Sequence, residues 1–196
     1  MHFTAKERFV TTQMGRIHCF DAGSGPALML VHSNGASAYE YEFVIDMLAK
    51  KYRVIAWDMP GQGDSDNPPR FYSAHDYADS VVALMDSLGI EKASMAGSSV
   101  GGSIAVALGA RHAARMERVP VVLDGYVAAA AAAVVAALAP GGIDHCLAAH
   151  VEPGEAHARV LERLGKRPLL SLGVDAGEGC GAALAAGLVK AAVEAC

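Results

Sequence analysis

Apolar residues in this chain come in short blocks separated by glycine, serine and asparagine. ALMLV (27–31) lies between GSGP and SNG, the pattern of a short strand buried on both faces. YEFVIDMLAKK (41–51) has helical spacing, with Phe43, Val44, Met47 and Leu48 on one face and lysines at its end. YRVIAWD (52–58) predicts the next strand. SAHDYADSVVALMDSLGI (73–90) predicts a helix with Ser73 as N-cap and Gly89 as stop. KASMAG (92–97) is a strand running into a tight turn, and GGSIAVALGARHAARM (101–116) is the helix after it. Strands alternating with helices across short loops define the α/β class, a mainly parallel sheet with helices on both faces. RVPVVLDG (118–125) predicts one more strand, placed beside KASMAG in the same sheet.

Composition changes partway along the chain. All 8 methionines lie at or before Met116, and Tyr126 alone among the aromatic residues follows Pro120. Beyond that point Ala, Gly, Val and Leu dominate, whereas one core normally interdigitates large and small side chains. The sequence therefore predicts an N-terminal part, 1–118, and an Ala-rich helical part, 119–196, packed onto the same sheet.

Charge and cysteine content narrow the classes. A net charge of −5 without a long like-charge run gives no nucleic-acid footprint. The run YVAAAAAAVVAALA falls short of a membrane span, which needs about 18 apolar residues. The opening MHFTAKERFV has no apolar block, so no secretory leader is expected. Cys19, Cys146, Cys180 and Cys196 have no C-x-x-C spacing, so a cytoplasmic protein with free thiols, no cofactor and no bound metal is expected. A constellation of Asp144, His145, Cys146 and His150 is disfavoured as a metal site because His145 and His150, five apart, share no helical face.

The chemistry concentrates in MAGSSVGGS (95–103). Gly97-Ser98-Ser99-Val100-Gly101 has G-x-S-x-G spacing, in which the glycines leave room for a sharp turn that exposes Ser99. The N–H of Val100, at a helix start, suits a developing oxyanion, and a second donor is expected from Ser33 or Asn34 after ALMLVH. Ser99 also needs a base. His112, thirteen residues on along the same helix, would lie roughly 20 Å away. That leaves His145, His150 and His157, with Asp124 preceding them as an acid in Ser-acid-His order.

Four features in order, VHSNG, DMPGQGDSD, the helix 73–90 and GSSVGG, resemble the α/β-hydrolase superfamily. The resemblance implies a serine nucleophile at Ser99 and makes His32 and Asp58 loop-shaping residues. The remainder is similar to the C-terminal end of nicotinate-nucleotide–dimethylbenzimidazole phosphoribosyltransferases, which build the lower ligand of cobalamin. VVLDGY, an Ala-rich helix, LAAH with a nearby EPG, RPLLSLG and GEGCGAALA carry that likeness. It implies that Glu178 is the carboxylate that takes a proton from the benzimidazole, with Asp124-Gly125 and the loop around His150 near the nucleotide. Ala149 stands where that family usually has serine.

Three functions follow as expectations. The first is a serine hydrolase of small esters or related carbon compounds, impaired because the superfamily's own acid and histidine are missing. The second is phosphoribosyl transfer onto dimethylbenzimidazole, and the third a catalytically silent hybrid. The expected partner is a small-molecule substrate, with neither nucleic acid nor membrane, and the small residues of the C-terminal part leave a homodimer open.

Overall fold

The computed structural model describes residues 3–97, 99–116, 121–138, 140–171, 173 and 185. The chain divides into two compact units, Met1–Arg118 and Val119–Cys196.

The first unit is built on a five-stranded sheet of β1 (Lys6–Thr12), β2 (Gly15–Ala22), β3 (Ala27–Val31), β4 (Arg53–Trp57) and β5 (Ser94–Gly97), in the order β1-β2-β4-β3-β5. β1 and β2 form an antiparallel hairpin, β2 runs antiparallel to β4, and β4, β3 and β5 are mutually parallel. Side-chain alternation divides the core into two layers. Met29, Val31, Ile55 and Trp57 face α2 (Ala74–Ser87) and α3 (Val100–Arg111). Leu30, Val54, Ala56 and Phe20 face a 3-10 turn (Ala38–Tyr41) and α1 (Ile45–Leu48). Helices thus cover both faces of a mainly parallel sheet, the α/β class expected.

Local signals placed these elements well. Ser73 caps α2 through a full capping box: its hydroxyl accepts from the Asp76 N–H, and the Asp76 carboxylate accepts from the Ser73 N–H at 2.9 Å. Gly89 ends the helix with φ +66°. The segment 41–51 is different. It contains one turn of α-helix, Ile45 is its buried residue, and Phe43 and Met47 are 87% and 60% exposed. One turn brings Ile45 and the partly buried Leu48 to the sheet but leaves Phe43 and Met47 outside, so the longer apolar face read from the sequence does not assemble.

The second unit contains β6 (Val121–Leu123), α4 (Gly125–Leu138), β7 (Cys146–His150), α5 (Glu155–Arg163) and β8 (Pro168–Leu170). Its strands form a parallel sheet in the order β6-β7-β8, with Ala129 of α4, Ala148 of β7 and Leu161 of α5 packed together. Here the structure corrects the expected strand beside KASMAG and the single shared sheet. Val121–Leu123 pairs with β7 in a separate sheet. The β-α-β-α-β sequence supplies parallel partners of its own, so β6 finds a ladder locally.

Among the described residues, no helix is long and apolar enough to cross a membrane.

Candidate active sites

In the first unit the register sets Val31 opposite both Trp57 and Gly97. The loops after β3, β4 and β5 therefore leave from one edge, the carboxyl ends of parallel strands where α/β sheets bind ligands. Ser99 stands there as the exposed N-cap of α3, with φ +54° and ψ −116°. It is the one non-glycine residue with positive φ among the described residues. Such backbone costs roughly 1–3 kcal/mol and persists where neighbours dictate it. The neighbours are glycines: a Cβ on Gly97 would overlap the backbone of Gly101, and a Cβ on Gly101 would overlap the carbonyl of Val31. The start of α3 is pressed against the ends of β5 and β3, and the turn holds Ser99 outward.

The loop after β3 was expected to supply an oxyanion donor from Ser33 or Asn34. The Ser33 N–H donates to Glu40 Oε2 at 2.8 Å and the Ser33 hydroxyl to the same oxygen at 2.6 Å. Gly35 N–H donates to Gln62 Oε1 at 2.7 Å, and Gln62 Nε2 reaches Asn34 Oδ1 at 3.3 Å. Val100 opens α3, whose first turn is closed by Gly102 N–H donating to Ser99 O at 3.0 Å.

His32 is fully buried, with Nδ1 donating to Ser33 O at 2.7 Å and Nε2 accepting from Met59 N–H at 3.1 Å. Both ring nitrogens are committed to the loop, so His32 shapes it. Asp58 is likewise buried and braces its own loop, accepting from Asp64 N–H and His18 Nδ1 at 2.8 Å each and from Ala38 N–H at 2.5 Å. Gly63 makes room for this, since a Cβ there would overlap the Asp58 carboxylate. His112 bonds Asp79 Oδ1 at 2.6 Å at the far end of α3. His75 lies exposed in the first turn of α2. Among the described residues, His18, Asp58 and Asp64 gather as three potential metal ligands. Asp58, which links the set, already spends both oxygens on loop hydrogen bonds. Asp144, His145, Cys146 and His150, disfavoured as a metal site in the sequence, are not among the sets that gather in the described residues, and the His150 imidazole bonds Asp124.

In the second unit Asp124 follows β6 and His150 ends β7, on adjacent parallel strands. His150 Nδ1 and Asp124 Oδ1 lie 2.7 Å apart, His150 is buried, and the Asp124 side chain is 10% exposed with Oδ2 unpartnered. Glu152 Oε2 accepts from Tyr126 N–H at 3.0 Å, at the start of α4, where Gly125 has φ +81°. His157 Nδ1 accepts from Glu152 N–H at 3.1 Å, and burial pushes its imidazole pKa below the ordinary value, against the Glu152 charge, which raises it. Asp124 and His150, singled out in the sequence, are thus brought together. His145 lies exposed, 3.9 Å from the Cys146 sulfur. Glu178 lies outside the described residues. Burial pushes the thiol pKa of Cys19 up to about 12 and that of Cys146 up to about 11, which removes both as nucleophiles near neutral pH.

His18 and Glu40 lie outside the motifs read in the sequence, and Gln62 and Glu152 lie inside DMPGQGDSD and EPG without an assigned role. His18 had a readable signal, a polar residue at an inward position of the apolar stretch IHCF. The others face partners that only the folded loops supply.

These two sites sit on two parallel α/β scaffolds, and comparison with known proteins separates them. The first resembles solved α/β-hydrolases. A meta-cleavage product hydrolase from Pseudomonas fluorescens IP01 aligns with a TM-score of 0.55 at 36% identity, covering 57% of this chain and 42% of that one. A carboxylesterase from Bacillus subtilis aligns with a TM-score of 0.56 at 28% identity, covering 59% and 42%. A phosphoribosyltransferase family model matches residues 78–196, more than half of the chain, and the chain belongs to that family. The nicotinate-nucleotide–dimethylbenzimidazole phosphoribosyltransferase of Rhizobium leguminosarum bv. trifolii is 51% identical over 117 residues, 60% of this chain and 31% of the relative. That of Sinorhizobium medicae is 59% identical over 92 residues, 47% and 27%. The chain spans about three-tenths of the length of these curated relatives. The family match begins at Ala78, within α2, so β5 and α3 fall inside it as well as inside the hydrolase-like signatures.

Proposed function

We propose that the chain carries an α/β-hydrolase-type reactive serine, Ser99, with slow activity toward small esters or related carbon compounds. The observation that carries this reading is the backbone of Ser99, a strained, exposed non-glycine residue at a helix start, wedged by Gly97 and Gly101. Turnover is impaired for want of a base. His18, His32 and His112 are engaged by Asp58, the β3 loop and Asp79. Asp124 and His150, candidates for acid and base, belong to the second unit. Oxyanion donors and substrate binding alone leave roughly 10³-fold catalysis over water. Labelling with a fluorophosphonate tests this. The Ser99 Oγ–P bond forms as the P–F bond breaks, fluoride leaves, and the hydroxyl proton passes to solvent. Slow labelling, lost in Ser99→Ala, is expected. Rapid labelling that collapses in His150→Ala would overturn the impaired site and establish a rebuilt triad.

Family membership over residues 78–196 and the Asp124–His150 pair favour a second reading, phosphoribosyl transfer from nicotinate mononucleotide to dimethylbenzimidazole, with Glu178 as the base. Nicotinate release that depends on dimethylbenzimidazole and is lost in Glu178→Gln would support it. A small molecule is the substrate in both readings.

A further inference from the structure

We propose that Glu40 is an internal acidic brake on Ser99, through the negative charge of its carboxylate, which is held on Ser33 in the loop beside the Ser99 turn. This rests on the serine-hydrolase reading of Ser99. Catalysis of acyl or phosphonyl transfer needs open N–H groups aimed at developing negative charge. One Glu40 oxygen takes both the Ser33 N–H at 2.8 Å and the Ser33 hydroxyl at 2.6 Å. The carbonyl of His32, one residue before Ser33, lies 3.1 Å from where a Cβ on Gly101 would stand, so the loop carries this carboxylate beside the Ser99 turn, and negative charge there disfavours a developing oxyanion.

The carboxylate is not what holds the turn that carries it. Ala38 N–H is anchored on Asp58, Tyr41 Oη donates to Val31 O at 2.7 Å, and Glu40 N–H donates to Ser37 O at 2.9 Å. The β3 loop has anchors of its own in Gln62 on Gly35 and His32 on Met59. Removing the charge leaves the scaffold standing, so its effect on Ser99 is separable from an effect on folding.

Glu40→Gln keeps an acceptor oxygen for Ser33 and deletes the charge. At an exposed position the gain is moderate and screened by salt. Glu40→Gln should label at Ser99 roughly 3- to 10-fold faster than the parent with an uncharged fluorophosphonate, and Glu40→Asp should stay near the parent rate. Raising the salt concentration from about 0.05 to 0.5 M should speed the parent and leave the Gln variant nearly unchanged, a response that a merely structural brace would not give. Equal labelling rates with equal salt response in parent and Gln variant would overturn the brake while sparing Ser99. No labelling of Ser99 in any variant would overturn both readings. Circular dichroism and the fluorescence of Trp57 report folding in each variant.

Discussion

Replacing Asp58 by asparagine changes one atom and should unsettle the whole carboxyl edge of the five-stranded sheet. Asp58 and His18 are both fully buried. Oδ2 receives the His18 ring and the Asp64 N–H, and Oδ1 receives the Ala38 N–H. The asparagine amide has one accepting oxygen and one donating nitrogen. If the nitrogen takes the Oδ1 position, it meets the Ala38 N–H donor to donor; if it takes the Oδ2 position, it opposes two donors. The milder arrangement loses one charge-assisted hydrogen bond, worth about 1.5–3 kcal/mol, and leaves a buried donor unsatisfied at about 1–3 kcal/mol. The bonds that survive are weakened because their acceptor is now neutral. A loss near 3 kcal/mol is expected. Trp57, the single tryptophan, precedes Asp58 and is itself fully buried, so its fluorescence during urea unfolding reads this unit directly. With a urea slope of about 1.5–2 kcal/mol/M, the midpoint should fall by about 1.5–2 M with the slope unchanged. A fall below about 0.3 M would refute the reasoning and leave the three bonds near neutral in net stability.

Two further outcomes follow from the geometry. Gly97→Ala should cost about 2–4 kcal/mol in the same titration and abolish labelling of Ser99, because the new Cβ meets the Gly101 backbone rather than a side chain that can swing aside; normal labelling would contradict the wedge. In the second unit, burial lowers the His157 pKa in the folded state. The unfolded chain then binds the proton more readily, so His157 contributes stability that is fully present above about pH 6.5 and is lost as pH falls toward the folded-state value. Amide protection in β7 and α5 should drop between about pH 7.5 and 5.5, and His157→Gln should flatten that slope; an unchanged slope would assign it to another group.

Much of the fold was legible because its signals are local. Ser73 with Asp76 marks a helix start within four residues, and the alternation in ALMLV and RVIAW sorts side chains onto two faces whatever the strands later pair with. The same holds for the turn at Ser99. Gly97, Ser99 and Gly101 lie within five residues, and their sterics largely dictate the turn. The short helix before β4 was misread because spacing alone does not say how many turns the sheet will accept. Tertiary structure decided what no spacing carries, namely which polar groups are spent and which stay open. His18 and Asp58 are 40 residues apart, Asp124 and His150 26 apart. Such pairs form only after strand order brings two strand ends together, β2 beside β4 and β6 beside β7. The partition into two sheets has the same origin. The strand-forming pattern of PVVLDG was plain in the sequence, but an apolar stretch names no partner, and β7 lay one crossover away. The Ser33 N–H, expected to face an oxyanion, bonds Glu40 of a neighbouring turn, because a backbone N–H takes whichever acceptor the fold delivers.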